Sequence, residues 1–171
     1  MLTKTDLFEI LSVKKLEFQI HDHEALFTVE DSENLRGEIK GAHTKNFFLK
    51  DKKKQFVLFS CMESETITIK DFSKSIGYGN LSFANEDYLK NILGILPGSV
   101  SPFALLNDYS NLVDCYLEER VYKSEFVNFH PLVNTSTICI NTNKFISFMI
   151  ENNKKVNIYS LKDMAVIKTY E

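Results

Sequence analysis

Residues 41–56 read GAHTKNFFLKDKKKQF and set two apolar runs on either side of a polar break. Asn46-Phe47-Phe48-Leu49-Lys50 and Gln55-Phe56-Val57-Leu58-Phe59-Ser60 are rich in β-favouring side chains, while Asp51-Lys52-Lys53-Lys54 between them is a polar turn. The two runs are expected to pair as a hairpin. One residue does not suit that account. Lys45 stands where the first strand begins, at a place where an apolar side chain would continue the strand more cheaply.

Outward from the hairpin, composition bounds the answer. A chain of 171 residues with 44% hydrophobic and 25% charged residues buries a sizeable core and is expected to form one domain over residues 1–171. No apolar run approaches the roughly 18 residues that would span a bilayer. The opening MLTKTDLFEIL lacks the basic-then-apolar order of a secretory signal, so the expected location is cytoplasmic, with no membrane partner. Cys61, Cys115 and Cys139 are odd in number, widely separated and free of a CxxC spacing, and read as reduced thiols. The formal charge of -3 argues against a protein that coats nucleic acid over a long footprint, because such binding needs many phosphate contacts. No DNA partner is expected; a short, local contact with nucleic acid is compatible with the charge.

The other segments read as a mixture of helices and strands. Leu7, Ile10 and Leu11 recur at helical spacing behind Thr3, with Asp6 three residues on, which predicts a capped first helix. LEFQIHDHEALFTVE (16–30) reads as strand, loop, strand, and Ser32 as the cap of a short helix. Asn85 is expected to cap a helix with Tyr88, Leu89, Ile92 and Leu93 on its buried stripe and Gly94 as its stop. In LPGSVSPFALLND (96–108), Ser101 is the expected cap and Pro102 the first residue of a short helix. NLVDCYLEE and TSTICINT read as strands, NKFISFMIENN as a helix behind Asn141 or Thr142, and KVNIYSL as a closing strand. Neighbouring strands outnumber regular βαβ units, so the fold class is α+β.

Several residues invite a chemical reading. His21 and His23 have an HxH spacing, and His43 and His130 are the further candidates to join them around a metal; a polar loop between strands is the plainer account. Cys139, inside the apolar alternation STICI, reads as a small buried thiol. The acidic residues are scattered, without a pair spaced for acid and base work. The loop LPGSVSPF enters a helix and leaves backbone N–H groups that suit an anion or a developing oxyanion; a rigid turn accounts for the same residues. His130 precedes Pro131 and so takes extended backbone, which serves a positioned site residue or a plain loop equally well.

Taken as an ordered set, GAHTKNFFLKDKK, LGILPGSVSPFALLND and FHPLVNTST strongly resemble the YbaK and prolyl-tRNA-synthetase-associated editing domain family. Within it, the chain looks most like the free-standing alanyl-tRNA(Pro) deacylase branch. The resemblance runs from about Thr3 to about Leu161, leaving the tail 162–171 without a role. It implies a compact α+β fold, a mixed barrel-like sheet with surrounding helices. It also implies hydrolysis of mischarged tRNA in trans with no metal or other cofactor. The implied partners are the acceptor end of tRNA(Pro) and prolyl-tRNA synthetase.

By the same resemblance, Lys45 is the signature lysine, with Asn46 beside it, and its ammonium meets the 3′ end of the tRNA. Gly98, Ser99, Val100, Ser101 and Pro102 correspond to the family's GxxxP loop, expected to hold the ester carbonyl and the attacking water. His130 matches the histidine of the FHPLxNT stretch, a wall or hydrogen-bonding group of the pocket. Lys50, Lys52, Lys53 and Lys54 are placed to touch acceptor-stem phosphates, or else simply keep the turn solvated. Related branches remove cysteine, serine or threonine, and these motifs do not separate the specificities. A non-catalytic module that binds aminoacyl-tRNA ends or a synthetase is the reading from another class.

Overall fold

Thr3 opens the first helix, α1 (Lys4–Val13), with a reciprocal cap: its side chain accepts from the Asp6 N–H, and the Asp6 carboxylate accepts from the Thr3 N–H at 2.7 Å. The computed structural model describes residues 1–33 and 39–171. Leu7 and Leu11 of α1 are fully buried, as their spacing predicts. The chain then forms β1 (Phe18–Asp22), α2 (Val29–Glu33), and the predicted hairpin as β2 (Ala42–Lys50) and β3 (Phe56–Met62). Next come α3 (Ile69–Ser75), β4 (Ser82–Phe83) and α4 (Glu86–Tyr88), which continues as a π-helical turn over Leu89–Leu93. A 3₁₀ helix (Pro102–Asn107) precedes β5 (Val113–Glu118), α5 (Glu119–Lys123), β6 (Phe126–Phe129) and β7 (Ser136–Asn141). The chain ends with α6 (Thr142–Glu151), β8 (Val156–Ser160) and β9 (Ala165–Tyr170).

The strands make one mixed sheet in the order β1-β7-β6-β2-β3-β5-β8-β9, with β4 added to β2. β6 and β2, β3 and β5, and β5 and β8 run parallel; the other pairs are antiparallel. The fold is therefore α+β with helices around a mixed sheet. The sheet is an open path, and among the described residues no pairing joins β1 to β9. Both faces of its centre are buried. On one, Phe48, Leu58, Leu117 and Ile158 meet α1, α6 and the 3₁₀ helix; on the other, Phe59, Tyr116 and Tyr159 meet Phe72 of α3. Phe72 stacks on Phe59 at 4.4 Å between ring centroids and stands edge-on to Tyr159 at 5.0 Å. This burial on two sides explains why β3 reads as a nearly continuous apolar run.

Several local expectations change. Lys45 is the fourth residue of β2, not its first. Only the first half of 16–30 is a strand. The second half enters α2, because the Asp31 carboxylate takes the N–H groups of Phe27 and Thr28, and the Thr28 hydroxyl takes the N–H of Asp31. That helix starts before Ser32, so Ser32 is not its cap; the rest of the helix expected there, 34–38, lies outside the described residues. β8 is not the last strand. The tail forms β9, paired antiparallel to β8 and exposed along most of its length, so no apolar alternation announces it. Asn85 and Gly94 cap their helix as expected, Gly94 with φ of 65°. Asn141, rather than Thr142, caps α6 by accepting from the Lys144 N–H at 3.1 Å.

The three cysteines are buried and free, and burial pushes the thiols of Cys61 and Cys115 up to about 12. They are poor nucleophiles at neutral pH. The 3₁₀ helix is fastened by Phe103, fully buried and edge-on to Phe129 at 6.0 Å and Phe145 at 5.4 Å. Phe103→Ala should therefore cost about 3–5 kcal/mol, read as a lower urea midpoint by circular dichroism. A loss under 1 kcal/mol would mean that this aromatic cluster does not hold the helix.

Candidate active site

β2 pairs with β3 from Thr44 opposite Met62 to Lys50 opposite Phe56. Its other edge is divided. Ala42 and His43 join β6, and Leu49 and Lys50 join β4. Among the described residues, no strand lies against that edge between them. Two bonds close the ends of the gap: the Thr44 hydroxyl donates to the Asn128 carbonyl at 2.9 Å, and the Ala84 N–H to the Phe48 carbonyl at 2.9 Å.

A cleft of about 220 Å³ lies beside this opening, with Lys45, Asn46, Glu63, Gly98, Val100 and His130 in its walls. A recess of about 50 Å³ adjoins it, and Asn46, Glu63 and His130 line both. Sites that enclose drug-sized ligands run to roughly 300–1,000 Å³. This cleft suits a small acyl group better than a whole nucleotide.

Lys45 is held from one side. Its ammonium donates to the carbonyl of Glu65, just past the end of β3, where the Glu65 N–H bonds back to the Met62 carbonyl at 3.0 Å. The Glu65 carboxylate is ion-paired with Arg120, whose Nε lies 3.0 Å from Glu118 Oε1. Glu118 is only 1% exposed, and its other oxygen accepts from the Met62 N–H at 3.1 Å. Burial pushes its carboxyl up, opposed by the N–H groups of Met62 and Arg120. A chain of charge-assisted bonds thus runs from a buried glutamate to the lysine at the cleft. Asn46 is fixed as well: its Oδ1 accepts from the Ser60 hydroxyl at 2.5 Å.

Gly98 has φ of +87°, and a Cβ there would lie 3.2 Å from Asn134 Nδ2 and 3.3 Å from Phe27 Cδ1. Only glycine takes that conformation without strain. The loop's other residues divide. Val100 joins Gly98 in the cleft wall, whereas Ser99, Ser101 and Pro102 are buried and do not line it. The start of the 3₁₀ helix is also not a free donor site. Ser101 Oγ takes the Phe103 N–H at 3.1 Å, its carbonyl takes the Ala104 N–H at 3.0 Å, and Pro102 has none to give. The residues of the loop available to a ligand are Gly98 and Val100, supported from the core by their neighbours.

His130 Nδ1 lies 2.9 Å from the carbonyl of Ser136, which only accepts, so Nδ1 carries the proton and Nε2 is the acceptor in the neutral ring. Burial pushes its pKa below the ordinary 6.5; the bond to Ser136 opposes this, and neighbouring His23 adds to it. The His23 ring is 6.1 Å away and is spent on Glu24 and Thr137. Among the described residues, no group of three or more His, Cys, Asp or Glu is arranged to hold a metal ion.

The hairpin lysines sit apart from the cleft. Lys50 is five residues along β2 from Lys45, roughly 17 Å at strand rise, with its Nζ 5.7 Å from the Tyr88 ring centre. Lys52, Lys53 and Lys54 are exposed in a turn organised by Asp51, whose carboxylate accepts from the Lys53 and Gln55 N–H groups. Sequence reasoning missed Leu26, Phe27, Thr44 and Glu63, which also line the cleft. Only Glu63, an acid directly after an apolar strand, carried any signal.

The family model of the aminoacyl-tRNA editing domain matches residues 23–148. The chain is 33% identical over 149 residues to prolyl-tRNA synthetase associated domain-containing protein 1 of Bos taurus, covering 81% of this chain and 84% of that protein. It is 32% identical over 127 residues to the prolyl-tRNA editing protein ProX of Acetoanaerobium sticklandii, covering 74% of this chain and 77% of that protein. A solved structure described as a candidate trans-editing enzyme for prolyl tRNA synthetase superposes with a TM-score of 0.66 at 14% identity, over 91% of this chain and 96% of that one, a likeness of fold alone. The chain belongs to the aminoacyl-tRNA editing domain family.

Two outcomes test the geometry. Gly98→Ala should lower stability by about 1–2 kcal/mol, the cost of a left-handed alanine, in urea unfolding; an unchanged midpoint would mean the loop relaxes freely. His130 binds protons less readily folded than unfolded, so its contribution is complete above 6.5 and is lost as pH falls through the lower folded value. The urea midpoint advantage of the native protein over His130→Gln should shrink between pH 7.5 and pH 5. A constant difference would count against a buried neutral ring.

Proposed function

We propose that the protein is a trans-editing hydrolase that removes alanine from mischarged tRNA(Pro) and spares prolyl-tRNA(Pro). The observation that carries this reading is the convergence of Lys45, Gly98 and His130, far apart in sequence, on one small cleft. The name of the ProX relative points the same way. A synthetase pocket built for proline rejects smaller alanine poorly, since each lost methylene discriminates by only ~1–3 kcal/mol. A second site of alanine size clears the error and excludes the bulkier proline ring.

The ester is already activated, so hydrolysis needs orientation more than a strong base. Lys45, compact in charge and held by Glu65, fixes the 3′ end by its phosphate or ribose. Gly98 lets the backbone approach the ester carbonyl, with Val100 closing the wall. His130 offers a neutral ring as wall and acceptor. The exposed lysines of the hairpin turn meet acceptor-stem phosphates farther along the tRNA. Prolyl-tRNA synthetase is the natural partner for such an activity, and no metal or other cofactor takes part.

The test is a deacylation panel with tRNA(Pro) charged in turn with Ala, Ser, Cys, Thr and Pro. Alanine should be lost fastest and proline retained. Equal loss of alanine and proline would overturn the size sieve; faster loss of serine, cysteine or threonine would reassign the specificity; no loss of any ester would leave a tRNA-end binding module. Lys45→Ala should cut single-turnover deacylation by ~10²-fold or more while circular dichroism shows the fold intact. Lys52→Ala and Lys53→Ala should instead weaken tRNA binding and flatten its salt dependence.

A further inference from the structure

Lys45 carries its ammonium at the end of a flexible stem, so its own strand does not fix where the charge sits. The fixing comes from elsewhere in the chain. One of the three ammonium donors goes to the Glu65 carbonyl, which leaves two for a ligand in the cleft. Residues 65–68 belong to no helix or strand, and the Glu65 N–H is tied to the Met62 carbonyl at 3.0 Å. Backbone of this kind opens readily unless its side chains hold it.

The Glu65 side chain is held by Arg120. The guanidinium meets two carboxylates with different nitrogens: Nη2 pairs with Glu65 Oε1, and Nε lies 3.0 Å from Glu118 Oε1. Glu118 is anchored in turn. It caps α5 by accepting the Arg120 main-chain N–H at 3.3 Å, and its second oxygen accepts from the Met62 N–H at 3.1 Å. Met62 is the last residue of β3, so the clamp joins the β5–α5 junction to the end of that strand. Arginine suits this place because its planar fork directs donors to two acceptors at once, whereas lysine brings the charge without the fork.

Holding the fold together is a weak account of the link between Arg120 and Glu65. Their side chains are 55% and 26% exposed, and ion pairs at such exposure add little to stability. What the link does control is the carbonyl on which the Lys45 ammonium rests.

We propose that Arg120, acting through Glu65, is a positioning residue for Lys45: the clamp sets where the lysine ammonium meets the 3′ end of the aminoacyl-tRNA. This rests on the editing reading above and deepens it. Arg120 itself touches neither ester nor phosphate in this account.

Glu65→Gln is the cleaner variant, since it keeps the carbonyl under Lys45 and leaves the Arg120–Glu118 pair intact. In single-turnover deacylation of alanyl-tRNA(Pro), its maximal rate should fall about tenfold or more, with the half-saturating enzyme concentration within about threefold of native. Arg120→Lys should lose a similar factor. In a Lys45→Ala background, Glu65→Gln should cost nothing further, because the group it positions is gone. The same fractional loss in both backgrounds would mean a merely structural role and would overturn the proposal. So would an Arg120→Lys protein with the native rate, or a loss confined to half-saturation, the mark of a direct phosphate contact by Arg120.

A readout without substrate separates this from the editing reading. In 15N spectra of the lysine ammonium groups, the Lys45 signal, assigned by its absence from Lys45→Ala, should be visible in the native protein and broaden in Glu65→Gln through faster exchange with water. An unchanged signal, or none in the native protein, would count against the clamp. If no ester is hydrolysed but the signal responds in this way, the hydrolase reading fails and the positioning of Lys45 stands.

Discussion

The divided edge of β2 is the feature on which the rest depends. One strand is shared by two parts of the sheet: its first two residues bond to β6 and its last two to β4. In between, no strand among the described residues lies against a backbone edge that ordinarily finds one. Such an edge is costly unless something else uses it, and here the cleft and its recess lie beside it. The rigid partner on the other side, β3, is buried on both faces and holds the strand in register. The opening is therefore fixed rather than frayed.

Charge is managed around that opening by burial and pairing. Lys45 does not stand alone, because a carbonyl, a carboxylate, Arg120 and the buried Glu118 stand behind it in sequence. His130, also in the cleft wall, has its pKa pushed down by burial and its ring oriented by one carbonyl. The walls of the cleft thus carry a held cation, an oriented imidazole and a carboxylate residue. Lys45 and His130 belong to the motifs, whereas Glu65, Arg120 and Glu118 behind the lysine do not.

Part of the fold was legible in the residues themselves. The reciprocal cap at Thr3 and Asp6, the caps at Asn85 and Ser101, the stop at Gly94 and the hairpin around Asp51 are local devices, each decided within a few residues. Strand β9 and helix α2 were not legible. The first has little buried face to produce a pattern, and the second depends on Asp31 capping two N–H groups where alternation suggested a strand.

The sequence by itself determined the fold class, the family resemblance and the three segments that supply Lys45, Gly98 and His130, because motif order and local capping are properties of neighbours along the chain. Only the tertiary structure decided which members of those segments reach the cleft. Ser99, Ser101 and Pro102 support the loop from behind, and Lys50 stands well along the strand, although all lie within the motifs. Asn128, Glu63 and Arg120 carry no motif and entered the site through pairings between distant strands and through burial. Such placements follow from contacts between segments far apart in the chain, and those are facts of packing that no local pattern announces.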